Sequence, residues 1–118
     1  MSTNVKTIFK TAAVILFIDC FWLLTGGIFA RQIIERIQGQ PMSFRILGAA
    51  VVYLALAYML LETTSYKQAF MYGIAIYAVY DFTNYAVFEH YDWKFGMADT
   101  LWGGVLFMAA RYLMKNVV

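Results

Sequence analysis

The composition of this 118-residue chain excludes an ordinary soluble domain, since 63% of its residues are hydrophobic and only 14% are charged. A water-soluble core of this size could not bury 3 Trp, 9 Tyr and 10 Phe side chains together. The net charge of +2 comes from dispersed residues rather than a basic run, so we expect no nucleic-acid partner. The sequence therefore predicts an integral membrane protein whose main partner is the lipid bilayer.

Four apolar segments predict transmembrane helices. About 20 helical residues cross the roughly 30 Å hydrocarbon core of a bilayer, where every backbone polar group must be hydrogen-bonded. Each segment has at most two charged residues, and charged or polar residues flank all four. The predicted spans are residues 11–30, 46–61, 68–88 and 95–114.

The second of these segments is the shortest. Ser43 precedes it and is a suitable N-cap residue, because its hydroxyl can accept a hydrogen bond from the first helical turn. Arg45 and Glu62 lie at its two ends, where long side chains can extend their charges toward the headgroups. These flanking residues predict that the segment spans the membrane despite its length.

The connections between the spans are also informative. Residues 31–38 carry three isoleucines on one helical face, which predicts a helix that leaves the membrane or lies on it. Gly39 and Pro41 should end that helix. The connections at 63–67 and 89–94 are short, so sequential spans should be antiparallel neighbours, with Asp92 as a cap for the last one.

Together the segments predict an all-α fold: a polytopic four-transmembrane-helix bundle, with residues 1–118 as a single domain. The positive-inside rule slightly favours both termini in the cytoplasm, because that places five basic residues there and four outside. The inner set is Lys6, Lys10, Lys67, Arg111 and Lys115, and the outer set is Arg31, Arg36, Arg45 and Lys94.

Three acidic residues lie within the predicted spans. An Asp near the bilayer centre costs about 2.5 to 3.5 kcal/mol, so such residues are usually functional. Each has a polar or aromatic partner three residues later, which places both on one helix face. The pairs are Asp19 with Trp22, Asp81 with Asn84, and Asp99 with Trp102.

We predict that these six residues converge on one polar pocket in one half of the bilayer. Arg45 could supply a cation on that side, and Tyr80 and Thr100 are expected to support the pocket. A carboxylate in this setting needs either such a cation or a bound proton.

Small residues in the last span predict close helix packing. Gly103 lies beside the second tryptophan, and Gly96, Thr100 and Gly104 form a stripe at every fourth position. This stripe predicts a packing face for a homo-oligomer.

Three interpretations of the acidic residues remain open. They could tie helices together, with the indoles of Trp22 and Trp102 donating to carboxylates; they could form a proton or cation path; or they could line a binding or catalytic pocket. His90 lies in a loop with only carboxylates nearby, so we expect no metal site. No nucleotide-binding, zincin or serine-hydrolase motif occurs, and no cofactor or catalytic residue is assigned.

Three sequence blocks resemble those of DUF2177, a family of predicted membrane proteins. Residues 17–22, 80–84 and 99–103 match its D-x-x-W, Y-D-x-T-N and D-x-x-W-G patterns, in that order. One departure is that Trp93 is followed by Lys94, where the family usually has Trp-Pro. The resemblance implies a compact helical membrane domain without an established activity. Some bacterial relatives are encoded beside lipid-modifying enzymes, which implies a lipid-related role.

The predicted function is to bind or conduct a proton, a cation or a small polar ligand, as a channel or transporter does. One alternative is a membrane enzyme or accessory subunit in lipid modification, with a pocket reaching sideways to Phe21, Phe82 and Met108. The other is a structural membrane scaffold.

Overall fold

The computed structural model describes residues 4–40 and 45–117, which form five helices and no β strand. The prediction of an all-α fold is therefore confirmed over this part of the chain. The proposed cap Ser43 and the helix-ending Pro41 lie outside the described residues. The helices are α1 (Val5–Thr25), α2 (Gly27–Gln38), α3 (Ile46–Leu61), α4 (Tyr66–Val87) and α5 (Trp93–Asn116).

Side-chain caps fix where three of the helices begin. The Asn4 side chain accepts from the backbone N–H of Thr7 at 2.8 Å, which starts α1 earlier than the hydrophobic pattern predicts. The Ser65 hydroxyl accepts from the backbone N–H of Gln68 at 3.1 Å and caps α4. Asp92 caps α5, as predicted.

The predicted first span, 11–30, is divided in the structure at Gly26, where α1 ends and α2 begins. The indole of Trp22 lies over this glycine: a Cβ at Gly26 would lie 2.7 Å from the ring. Residue 26 therefore has no room for a side chain while the indole keeps this position. The residues predicted as a helix leaving the membrane, 31–38, lie within α2.

The helices differ in how well they suit a membrane. Among the residues that the structure describes, α1 alone is both long and apolar enough to cross one by length and composition. Helix α3 is apolar but has 16 residues, whereas α4 and α5 have 22 and 24 residues but more polar side chains. Helix length and composition thus identify one span candidate, α1, and do not confirm four spans.

The most extensive helix pair is α4 with α5, and glycines bring the two backbones into contact. A Cβ on Gly73 would lie 2.1 Å from the carbonyl oxygen of Gly103, and one on Gly104 would lie 2.8 Å from the ring of Phe70. The α4–α5 glycine seam, formed by Gly73, Gly103 and Gly104, therefore depends on the absence of side chains.

This seam corrects the expectation that the small stripe on the last span faces another subunit. Gly96, Thr100 and Gly104 are all buried within the chain. Gly96 packs beside Asp81 and Tyr91, with its Cβ position 3.6 and 3.7 Å from their side chains. The three residues of the stripe pack against other parts of the same chain, so they are not available as a contact face for a second copy.

The rest of the core lies between α1, α3 and α5, while large apolar side chains cover the outside. Ile15, Leu60 and Phe107 are fully buried in that core. By contrast, Phe17 and Leu47 are 77% and 83% exposed. An outer surface this apolar fits contact with lipid rather than water.

Candidate functional site

Asp19 is the carboxylate that α1 contributes to the site, and it is nearly buried. Its Oδ1 accepts a hydrogen bond from the indole Nε1 of Trp102 on α5 at 2.8 Å. Its Oδ2 accepts a hydrogen bond from the hydroxyl of Tyr53 on α3. Asp19 therefore joins three helices through two neutral donors.

Asp99, on α5, mirrors this arrangement. Its Oδ1 accepts from the indole Nε1 of Trp22 on α1 at 2.7 Å. Each tryptophan thus donates to the aspartate of the other helix, and not to the aspartate three residues before it. The two indoles stack on each other, with ring centroids 5.7 Å apart and planes 17° apart. An i, i+3 pair on one face of each helix can produce this exchange, because both members point at the facing helix.

Asp81 on α4 is fully buried. Its Oδ1 accepts from the Tyr91 hydroxyl at 2.7 Å, and its Oδ2 from the Thr100 hydroxyl at 3.4 Å. Asp81 and Asp99 are close enough to interact electrostatically. Two of the three acids therefore influence each other's charge.

Tyr91 lies in the connection between α4 and α5 and is itself buried. Burial raises the pKa of its hydroxyl, and so does the hydrogen bond to Asp81. The phenol therefore stays neutral and donates a hydrogen bond to the carboxylate.

The predicted pairing of Asp81 with Asn84 does not form in the structure. Asn84 does not pair with Asp81; it lies one turn further along α4, lining a smaller cleft of about 390 Å³ with Tyr80 and Tyr91. Asp81 instead points toward α5, where Thr100 and the following connection supply its donors.

The possible cation partner, Arg45, makes no ion pair with the acids within the described residues. Arg45 is exposed at the start of α3. Within residues 4–40 and 45–117, the ion pair closer than 4 Å is Arg31 with Glu35, at 3.1 Å on the surface of α2. The carboxylates of the site are therefore held by neutral donors, not by Arg45.

An open cleft of about 580 Å³ borders these acids and is lined by residues of all five helices. Asp19 and Asp99 lie in its wall, and the described residues that line it include no Lys or Arg. Most of the remaining wall is aliphatic or aromatic, but it does not contain the predicted residues Phe21, Phe82 and Met108. The cleft is thus acidic at one place and apolar over most of its surface.

Gly103 supports the cleft indirectly. A Cβ there would lie 2.5 Å from the ring of Tyr77, which lines the cleft. The glycine therefore allows that ring to lie flat against α5. No group of three His, Cys, Asp or Glu side chains suited to a metal ion occurs in the described part of the chain.

Tyr53 and Tyr91 are the site residues that sequence reasoning missed. Tyr53 lies in the middle of an apolar helix and Tyr91 in a polar connection, so neither stands out from its neighbours. A polar hydroxyl in an apolar segment was the available signal for Tyr53, since a buried phenol needs a hydrogen-bond partner.

A family model described as "Predicted membrane protein (DUF2177)" matches residues 4–114. The chain belongs to this family. The resemblance carried by the three sequence blocks is thereby confirmed, and the DUF2177 description agrees with an integral membrane location. Comparisons with curated proteins and with solved structures found no match. The three DUF2177 blocks contain all three acids and both stacked tryptophans of the site.

Proposed function

We propose that this DUF2177 protein is a four-span membrane protein whose cleft binds a cation or a small polar ligand at Asp19 and Asp99. The observation that carries this proposal is that two carboxylates line an open cleft whose described wall includes no Lys or Arg. In a low-dielectric interior, such an unbalanced wall attracts positive charge strongly.

The four proposed spans are α1, α3, α4 and α5, which form one domain. Helices α4 and α5, at about 1.5 Å per residue, are long enough for the roughly 30 Å hydrocarbon core. Helix α2 would lie at the interface, with Ile33 buried against the bundle and Arg36 at its polar end. Lys6 and Lys115 then share the cytoplasmic side with both termini.

The charge of the site supports this function. Tyr and Trp donors stabilise a carboxylate but do not cancel its charge. Asp81 adds a second acidic group that interacts electrostatically with Asp99, which favours a bound proton or cation there. Movement of such a proton or cation through the cleft would make the protein channel- or transporter-like.

The test is a cation-binding and flux assay on the full chain in liposomes. Asp99→Asn and Asp19→Asn should each lower binding at least tenfold, because each removes one negative charge from the cleft wall. Glu89→Gln is a matched control, since Glu89 is an exposed acid in the nearby connection. Equal binding by the parent protein and both Asn variants would contradict the proposal.

A second candidate is a role in lipid modification, as an enzyme or an accessory subunit. The specific observation in its favour is the apolar wall of the cleft, which includes Leu23, Val52 and Ile76. Mass spectrometry of the purified protein distinguishes the two. One chemically uniform bound lipid favours this candidate, and no bound lipid favours the cation.

A scaffold predicts that the same Asn variants lower stability while leaving binding unchanged. The homo-oligomer also stays a prediction. Light scattering of the purified protein in detergent measures its mass directly, and an assembly would have to use a face other than the buried stripe of Gly96, Thr100 and Gly104.

A further inference from the structure

We infer that the ligand of the cleft is an alkylated ammonium group, bound among aromatic rings beside Asp19 and Asp99. This inference rests on the proposed function and narrows it from any cation to one chemical class. It comes from the combination of acids, aromatic side chains and apolar wall within a single cleft.

Aromatic rings are the most prominent feature of the cleft after its acids. A ring face carries partial negative charge, so several rings around a cation attract it without hydrogen bonds, as in the aromatic cages that bind quaternary ammonium groups. The Trp22 ring already stacks on Trp102 and Phe95, with centroids 5.7 and 6.2 Å away, so the tyrosine rings are the better candidates to contact a cation. The rings that line the cleft belong to Trp22, Tyr53, Tyr77, Tyr80, Tyr91 and Phe95.

A bare metal ion suits this site less well. Hard cations such as Ca²⁺ take six to eight oxygen ligands, and Mg²⁺ takes six. Here the Asp19 oxygens already accept from Trp102 and Tyr53, and one Asp99 oxygen accepts from Trp22. An alkylated ammonium needs no such oxygen shell, because its charge is spread over methyl or methylene groups.

The apolar wall fits the alkyl groups of the same ligand. Ala49, Val52 and Leu56 line the cleft from α3, and Ile76 lines it from α4. Alkyl substituents on nitrogen can therefore contact apolar side chains while the charge lies near the acids. The same chemistry occurs in free organic ammonium ions and in amine-bearing lipid headgroups.

The test uses the full chain in nanodiscs of phosphatidylglycerol, which carries no ammonium group. Choline is titrated against tryptophan fluorescence, in parallel with dimethylbutanol, its neutral isostere with carbon in place of nitrogen, and with potassium chloride. Choline should give a saturable change at a concentration at least about fivefold lower than either comparison probe.

The outcomes separate this inference from the proposed function. Potassium binding as tightly as choline, with sensitivity to Asp99→Asn, overturns the ammonium class while the proposed cation site survives. Equal responses to choline and dimethylbutanol also overturn it. If neither cation binds, both proposals fail.

A variant pair tests the rings without removing an acid. Tyr80 is 56% exposed, so its replacement should leave the fold intact. Tyr80→Leu should weaken choline binding about fivefold, whereas Tyr80→Phe, which keeps the ring face, should change it little. Equal choline affinity in both variants would exclude this ring from the site and overturn the aromatic cage.

A final arm distinguishes the two sources of ammonium. Nanodiscs of phosphatidylcholine should raise the apparent choline dissociation constant if lipid headgroups reach the cleft, because they compete for it. An unchanged constant identifies a free ammonium ion as the ligand, and both results keep the same chemical class.

Discussion

The two sides of α4 differ sharply. One side packs closely on α5 along the glycine seam, where the Gly73 backbone meets that of Gly103 and the Phe70 ring packs on Gly104. The other side faces α3 across the open cleft, and α3 and α4 barely touch. A single helix therefore provides both a rigid wall and a wall that a ligand can reach.

The packed side and the open side also differ in the charged residues that they bury. Arg111 on α5 is as buried as the acids, and its Nη1 donates to the Thr63 carbonyl and hydroxyl at 2.8 and 3.0 Å. Its guanidinium lies over the ring of Tyr66, 5.5 Å from the centroid. This cation is enclosed by packing and ties the α3–α4 connection to α5, whereas Asp19 and Asp99 border open space. The open side is therefore the better candidate for ligand binding.

The seam should be the more fragile side. Gly73→Ala forces a Cβ to within 2.1 Å of a backbone oxygen on α5, so the helices must separate. We expect a loss of about 3 kcal/mol in the free energy of unfolding, measured by circular dichroism in detergent. Gly48→Ala is the control, because nothing lies within 4 Å of that position. A Gly73→Ala protein as stable as Gly48→Ala would contradict the close approach.

Arg111→Met should produce the next largest change. It leaves the Thr63 carbonyl without its buried donor, which should cost about 1 to 3 kcal/mol of unfolding free energy. Ligand binding should not change, because Arg111 does not line the cleft. Lys115→Met, at an exposed position, is the control. Loss of binding in a folded Arg111→Met protein would remove the distinction between the two sides.

Trp102→Phe tests the exchanged indole bonds. Phenylalanine keeps a ring beside Trp22 but cannot donate a hydrogen bond to Asp19. The free energy of unfolding should therefore fall by about 1 to 2 kcal/mol. Trp93→Phe is the control, since that residue is 52% exposed. Equal thermal stability of the two variants would indicate that the Trp102 bond contributes nothing.

The smallest effect concerns alkaline pH. The pKa of Tyr91 is raised above its ordinary value of 10.0, so the folded protein retains the phenolic proton longer than the unfolded chain does. The contribution of Tyr91 to the free energy of unfolding is fully present below pH 10 and is lost as the pH rises further. Tyr91→Phe should therefore show a shallower decline in stability above pH 10. Tyr112→Phe, at an exposed position, should decline as the parent does.

Local patterns in the sequence determined the all-helical class, the apolar surroundings and the presence of three acids in apolar segments, but not the division of the predicted first span at Gly26. These features depend on hydropathy and helical periodicity, which are properties of short stretches of sequence. The i, i+3 spacing also placed Asp19 and Asp99 each on one face with a tryptophan. That spacing could not decide between a bond within one helix and an exchange between two.

Only the tertiary structure decided which donors meet which acids. Tyr53 reaches Asp19 from a helix 34 positions away in sequence, and Trp102 reaches it from 83 positions away. The close contact of α4 with α5 at Gly73 and Gly103, and the open cleft between α4 and α3, are likewise set by residues far apart in the sequence. Such long-range contacts result from the mutual fit of whole helix surfaces, and no local pattern in the chain encodes that fit.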